Sequence, residues 1–234
     1  MPKYNRVILK LSGEALGVDG HGFCHEKFEE AAKMLIDIKN TGVQLAVVIG
    51  GGNVWRGRRG AAMRMGTVAA DQMGMLGTLQ NCLYMRDTLD HLGAKAVVMS
   101  AVDIARFAEP YNTVKALEML KEGTILLLAC GIGNPCFSTD TCVVLRGIEL
   151  ECDAILMAKN IDGVYDSDPA KNPDAKKFDE MTHMDVIEKD LKVMDLTAAT
   201  LCKDNNIKIH VFALAEGGNI KRAVCGEKIG TLIS

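Results

Sequence analysis

Short, nearly unbroken apolar runs recur along this chain and leave few folds open to it. They are Val7-Ile8-Leu9-Lys10-Leu11, Leu45-Ala46-Val47-Val48-Ile49, Lys95-Ala96-Val97-Val98-Met99, Thr124 to Ala129, Ala154-Ile155-Leu156-Met157 and Lys208-Ile209-His210-Val211-Phe212. A strand with one wet face alternates polar and apolar residues. A strand without that alternation is buried on both faces, which requires helices above and below a mostly parallel sheet. The intervening stretches supply those helices. Lys27 to Asn40 places Phe28, Ala31, Leu35, Ile36 and Ile38 near helical spacing. Met73 to His91, Tyr111 to Lys121, Thr139 to Glu151, Met184 to Lys189 and Leu196 to Asp204 read the same way, and Asp166 to Asp179 reads as a surface loop. The expected fold is a three-layer α/β/α sandwich around a central, mostly parallel sheet, with residues 1–234 as one domain.

The totals narrow the function. A net charge of −3 gives no basic excess for a nucleic-acid partner. No apolar run approaches the length that crosses a membrane. The start, Met1-Pro2-Lys3-Tyr4-Asn5-Arg6, lacks the features of a signal peptide, so a cytoplasmic enzyme is expected. The eight cysteines form no C-x-x-C pair, and most sit in apolar runs. They read as small buried hydrophobes in a reducing compartment, with no protein-built metal centre.

In folds of this class ligands bind beyond the carboxyl ends of the strands. After the first strand stands Lys10-Leu11-Ser12-Gly13, a cation followed by a small-residue turn that can offer backbone N–H groups to phosphate. Alone, such a lysine is more often a solvated edge residue. After the second strand come Gly50-Gly51-Gly52-Asn53 and Arg56. This is neither a Walker A loop nor G-x-G-x-x-G. The glycines let backbone approach an anion, and the guanidinium matches phosphate oxygens. After the Thr124 to Ala129 strand, Gly131 to Pro135 set a turn, and Ser138, Thr139 and Asp140 are helix caps able also to face a ligand phosphate. After Met157, the stretch from Lys159 through Asp162-Gly163 and Tyr165 to Asp168-Pro169 is a polar turn.

Six ordered strings go further. Lys10-Leu11-Ser12-Gly13-Glu14-Ala15, Gly50-Gly51-Gly52-Asn53 through Arg56-Gly57, Asp71-Gln72-Met73-Gly74-Met75, Gly133-Asn134-Pro135, Asp162-Gly163-Val164-Tyr165 and Lys192-Val193-Met194-Asp195 resemble the bacterial uridylate kinases of the amino-acid-kinase superfamily, essentially end to end. The resemblance implies phosphorylation of UMP to UDP by ATP with Mg2+, in pyrimidine nucleotide supply. It implies Lys10, Arg56, Asp140 and Asp195 as catalytic residues, with Asp195 orienting the lysine and arginine. For ATP it implies Lys10, Leu11, Ser12, Gly13, Gly52, Arg56, Lys159, Asn160, Tyr165 and Asp168, with Lys159 lining the adenosine site. For UMP it implies Gly51, Asp71, Ile132, Gly133, Asn134, Pro135, Cys136, Phe137, Ser138 and Thr139. A homohexamer activated by GTP and inhibited by UTP follows from the resemblance alone.

Some positions depart from the family's pattern. Lys159 stands where a threonine occurs, with Asn160 as the alternative contact. Cys136 and Ser138 replace a common Phe and Thr. Gly17 to Cys24 resembles the proposed GTP region but differs at His21 and Cys24 and by one residue in length. Two other readings compete: a superfamily member acting on a carboxylate or carbamate, and a nucleotide-binding subunit without catalysis. Asp71 with Asn134 to Thr139 suits a nucleoside better than an amino acid, and the complete charge set argues against lost catalysis.

Overall fold

The computed structural model describes residues 2–56, 63–159, 161–191, 193–213 and 218–234. Its frame is a nine-stranded sheet. In chain order the strands are β1 (Arg6–Leu11), β2 (Gln44–Ile49), β3 (Ala96–Ser100), β4 (Glu109–Pro110), β5 (Ile125–Ala129), β6 (Ala154–Lys159), β7 (Val164–Tyr165), β8 (Lys177–Phe178), β9 (Glu180–Met181), β10 (Lys208–Ala213) and β11 (Thr231–Ile233). The sheet order is β4-β3-β5-β2-β1-β6-β10-β11-β9, and β7 pairs β8 in a separate hairpin. Every pair in the large sheet is parallel except β10 with β11.

The helices are α1 (His25–Lys39), α2 (Thr67–His91), α3 (Thr113–Lys121), α4 (Thr139–Glu149), α5 (His183–Glu188), α6 (Leu196–Asn205) and α7 (Asn219–Val224). They form the two outer layers that the unbroken apolar strands require. Val7, Leu9 and Leu11 of β1 pack with Phe28 and Leu35 of α1, Met85 and Leu89 of α2 and Ala223 of α7. Ile8 of β1, Val48 of β2 and Met157 of β6 face the other way, toward α3, α4, α5 and α6. Since β1 is parallel to β2 and β6, with Lys10 opposite both Val48 and Met157, Lys10 points to this second face.

Three features differ from the sequence reading. Helix α2 starts at Thr67, six residues before the expected Met73. Ala70, Asp71 and Gly74 in its first turns line a cleft instead of the core, so that stretch carries no apolar stripe. The loop expected from Asp166 is entered from β7 and returns through β8, a short hairpin whose two-residue strands leave no readable period. Of the cysteines, Cys82, Cys130, Cys142, Cys152 and Cys202 are buried as expected, but Cys136 and Cys225 are exposed and Cys24 is partly so. All eight are free thiols.

One core contact has a consequence for pH. His210 on β10 is 4% exposed, its Nε2 lies 2.6 Å from the Tyr4 hydroxyl, and its Nδ1 is buried with no hydrogen-bond partner among the described residues. Burial first, then Lys3 and Lys208, lowers its pKa from 6.5 to about 4. The unfolded chain therefore takes up a proton below about pH 6.5 that the folded chain refuses until about pH 4, so stability falls as pH falls through that window. His183, also shifted down chiefly by burial, acts in the same direction. Between pH 7 and pH 5, His210 is expected to remove about 2 kcal/mol of unfolding free energy. Urea titrations at the two pH values should show a smaller loss for His210→Gln than for wild type; equal losses would reject the assignment.

Candidate active site

The carboxyl ends of β5, β2, β1, β6 and β10 lie along one edge of the sheet because their register is parallel. From β1 the chain builds β2, β3 and β5 on one side, then crosses to β6 and β10 on the other. β1 and β6 thus flank the switch point where such sheets open a crevice. Two hollows stand at this edge. One, of about 360 Å³, lies beyond β2 and β5 and is lined by Gly51, Gly52, Trp55, Arg56, Asp71, Phe137, Ser138 and Thr139 among others. The second, of about 410 Å³, lies beyond β6 and β10 and includes Lys159, Tyr165, Asp168 and Val193. β1, carrying Lys10 and leading into Ser12 and Gly13, runs between them.

The floor between β1 and β2 depends on backbone contact. A Cβ on Gly13 would sit 2.1 Å from the Gly50 carbonyl oxygen and 2.5 Å from Asn53 Oδ1, so only glycine lets the two turns touch. Beneath them, two buried amides pair reciprocally. Asn81 Nδ2 donates to Asn53 Oδ1 at 2.8 Å and to the Gly50 carbonyl at 2.7 Å, while Asn53 Nδ2 donates to Asn81 Oδ1 at 3.0 Å and to the Gly22 carbonyl at 2.7 Å. Asn81 is 0% exposed and Asn53 3%. Helix α2 therefore clamps the glycine turn, and Asn53 also accepts from the Gly22 N–H at 2.9 Å, which ties in the Gly17 to Cys24 segment.

Two ion pairs stand at the site. Lys10 Nζ is 2.7 Å from Asp140 Oδ1, and both side chains are largely buried. Asp140 lies in the first turn of α4, where its charge suits the helix N-terminus. Arg56 pairs with Glu14 at 2.5 Å, both about half exposed. Glu14 belongs to a short 3₁₀ turn directly after β1 and was not singled out as a site residue. Only its place in the Ser12-Gly13-Glu14 string hinted at it. Trp55 is a second residue missed, its indole N–H buried at the cleft wall with no partner among the described residues.

Ser138 caps α4, accepting from the Asp140 and Thr141 N–H groups at 3.0 and 3.1 Å. Its hydroxyl donates to Asp195, which also accepts from Thr141 Oγ1 at 3.1 Å and caps α6 through the Ala198 N–H at 2.9 Å. The hydrogen bonds of Asp195 thus join the starts of α4 and α6; among the described residues it forms no ion pair with Lys10 or Arg56, so the expected orienting contact is not made directly. Across the cleft, Asp71 Oδ2 accepts from the Cys136 N–H at 2.7 Å, with Cys136 at φ +69. Ile132, Gly133, Asn134 and Pro135 form the turn that leads there. Leu11 is buried in the core beneath the site. Tyr165 donates to Asp162 at 2.7 Å, and Asp168 accepts from the Ala170 N–H at 3.0 Å. Asn160, Gly57 and Lys192 lie outside the described residues.

The arrangement is one of two hollows joined by cations, with glycine backbone at their meeting point. It suits two anionic ligands meeting end to end. Comparison with known proteins gives the family. The amino acid kinase family matches residues 5–213. A uridylate kinase of Streptococcus thermophilus is 52% identical over all of this chain and 96% of its own length. The crystal structure of UMP kinase from Bacillus anthracis is 38% identical with a TM-score of 0.97, covering 100% of this chain and 97% of that one. The UMP kinase from Ureaplasma parvum is 33% identical with a TM-score of 0.93, covering 99% of each.

Asn81→Ala would leave Asn53 Oδ1 and the Gly50 carbonyl buried without their donor. An unsatisfied buried group costs about 1–3 kcal/mol. A loss of at least 2 kcal/mol in unfolding free energy is therefore expected by urea titration, a rough sum over two groups. A variant as stable as wild type would mean that the amide pair is not what holds the turn.

Proposed function

The chain belongs to the amino acid kinase family and, within it, to the uridylate kinases, and from that premise we propose that it transfers the γ-phosphate of ATP to UMP. The observation that carries this reading is the pair of hollows on either side of Lys10, one bearing Asp71 and Arg56 and the other Tyr165 and Asp168. UMP takes the hollow beyond β2 and β5. Asp71 accepts from its ribose hydroxyls, and the Gly51 backbone and the Gly133 to Thr139 segment hold its phosphate and base. ATP takes the hollow beyond β6 and β10, with Tyr165 and Asp168 at the adenosine and the Ser12-Gly13 turn and Gly52 at its phosphates.

In the transfer an oxygen of the UMP phosphate forms a bond to Pγ, and the bond from Pγ to the β,γ-bridging oxygen breaks. The electron pair of that bond stays on the β-phosphate of ADP. The attacking oxygen is already anionic at neutral pH, so no base has to remove a proton. The chain supplies position and positive charge. Lys10, aimed by Asp140, holds the transferred group, and Arg56 spans donor and acceptor phosphates. In the unliganded site Arg56 rests on Glu14. A half-exposed pair of that kind is worth about 1 kcal/mol at most. A bidentate guanidinium–phosphate contact is stronger, so the arriving phosphates displace Glu14.

The reaction also implies Mg2+ carried by ATP. Among the described residues no three His, Cys, Asp or Glu side chains stand together as a metal cage. That donor set suits an ion held mostly by substrate phosphates and water, with Asp140 the carboxylate that would be in reach. When bound, the ion offsets charge on the phosphates. A cytoplasmic setting, service to pyrimidine nucleotide supply, a homohexamer, and GTP and UTP as effectors are part of the same proposal. Their support is the family.

A coupled assay offering UMP, CMP, dTMP, acetylglutamate, aspartate and carbamate should give ADP fastest with UMP. Turnover of an amino acid with none of UMP would overturn the reading. Arg56→Ala should lower kcat by about 10³-fold, as other arginines that stabilise phosphoryl transfer do. Unchanged turnover would remove Arg56 from the chemistry.

A further inference from the structure

Lys159 is a cation in want of an anion. It ends β6, two residues past Met157, which pairs with Lys10. Parallel register puts Lys10, Met157 and Lys159 on the same face of the sheet, the one covered by α4 and α6. Lys159 is thus about 7 Å further along the strand direction and about 5 Å across from Lys10. Its side chain is partly buried and its ammonium donates to the Val193 carbonyl. Among the described residues no carboxylate forms an ion pair with it, whereas Lys10 has Asp140 and Arg56 has Glu14. Burial lowers its pKa from the ordinary lysine value, Asp140 pushes it back up and Lys10 lowers it again, which places the amine within electrostatic reach of both.

We propose that Lys159 is a catalytic residue that contacts the β-phosphate of ATP and offsets the charge left on ADP as the Pγ–O bond breaks. This rests on the kinase reading above but departs from the expectation that Lys159 lines the adenosine pocket. Three cations then follow one another on adjacent strands. Arg56 follows β2 at the acceptor, Lys10 on β1 meets the moving phosphoryl group, and Lys159 on β6 meets the leaving group. The order matches the path of negative charge. The acceptor oxygen loses charge as its bond to Pγ forms, and the bridging oxygen gains the electron pair of the bond that breaks. A cation at the far end is worth most in the transition state, where that charge first appears. The Val193 carbonyl holds the amine in place without cancelling its charge, and burial makes an unpaired ammonium costly until phosphate arrives.

Nucleotide affinities separate this role from an adenosine contact. Calorimetry with ATP, ADP and AMP would be run on wild type, Lys159→Met, Lys159→Gln and Lys159→Arg. Lys159→Gln keeps a donor for the Val193 carbonyl and covers the case in which the methionine variant fails to fold. With either neutral residue, ATP and ADP should bind about tenfold or more weakly, AMP affinity should change less than twofold, and kcat should fall at least tenfold. Lys159→Arg should restore most of both. Equal weakening of AMP and ATP would make Lys159 an adenosine or packing residue, and unchanged ATP affinity and kcat would remove it from the site. If wild type instead refused UMP while the nucleotide pattern held, the acceptor would be wrong and the place of Lys159 would stand.

Discussion

Parallel register among β2, β1 and β6 is the constraint on which the rest of this molecule depends. It brings the ends of three strands, far apart in sequence, to one edge of the sheet. It also sets Lys10 and Lys159 on one face, under the start of α4. Like charges brought that close repel, and nothing local in the sequence favours the arrangement. The apolar residues behind them hold it: Ile8, Val48, Ile155 and Met157 on one face and Leu9, Val47 and Leu156 on the other, none more than 2% exposed. Burial of that kind is non-directional but large, about 2 kcal/mol or more for each such side chain. It outweighs a repulsion that the Asp140 ion pair further reduces.

The layout of polar groups follows from the same register. Side chains at the strand ends cannot be solvated from below, so the protein satisfies them with one another. Asn81 reaches from α2 to the Gly50 carbonyl, Asp195 reaches from the start of α6 to the cap of α4, and Thr78 Oγ1 receives the Cys130 N–H at 2.8 Å. These contacts come from the two outer layers and converge on the turns after β2 and β5. The site is therefore held from both faces of the sheet, which fixes the backbone N–H groups that phosphate would use.

What could be read in the sequence was whatever is local. Unbroken apolar runs gave the sheet its layers, and Lys10, Arg56 and Asp140 could be picked out because each lies near a strand end or at a helix start, while Asp71 rested on the family resemblance alone. Contacts between distant segments left no such mark. Asn81 looks like any polar residue on a long helix, and only folding sets it opposite Asn53. Glu14 gains its role from Arg56, forty-two positions away. The antiparallel return of β11 rests on three residues, too few to display a period. The first turns of α2 escaped notice because they face a cleft, and a cleft imposes no apolar spacing.

The state of the three cations in the unliganded site carries the argument one step further. Lys10 is neutralised by a carboxylate it shares with the start of α4, a pairing built into the fold. Arg56 is neutralised by Glu14, a pairing half exposed and cheap to break. Lys159 is held by a carbonyl, which orients a charge without cancelling it. A site with all three cations fully paired would have to give up as much as it gains when nucleotide enters. A site with none paired would strain the fold. Graded pairing leaves the fold stable and reserves the strongest unmet attraction for the hollow beyond β6 and β10. On the proposed reading, ATP phosphates would order the donor side, and Arg56, freed from Glu14 by the same negative charge, would close on the acceptor.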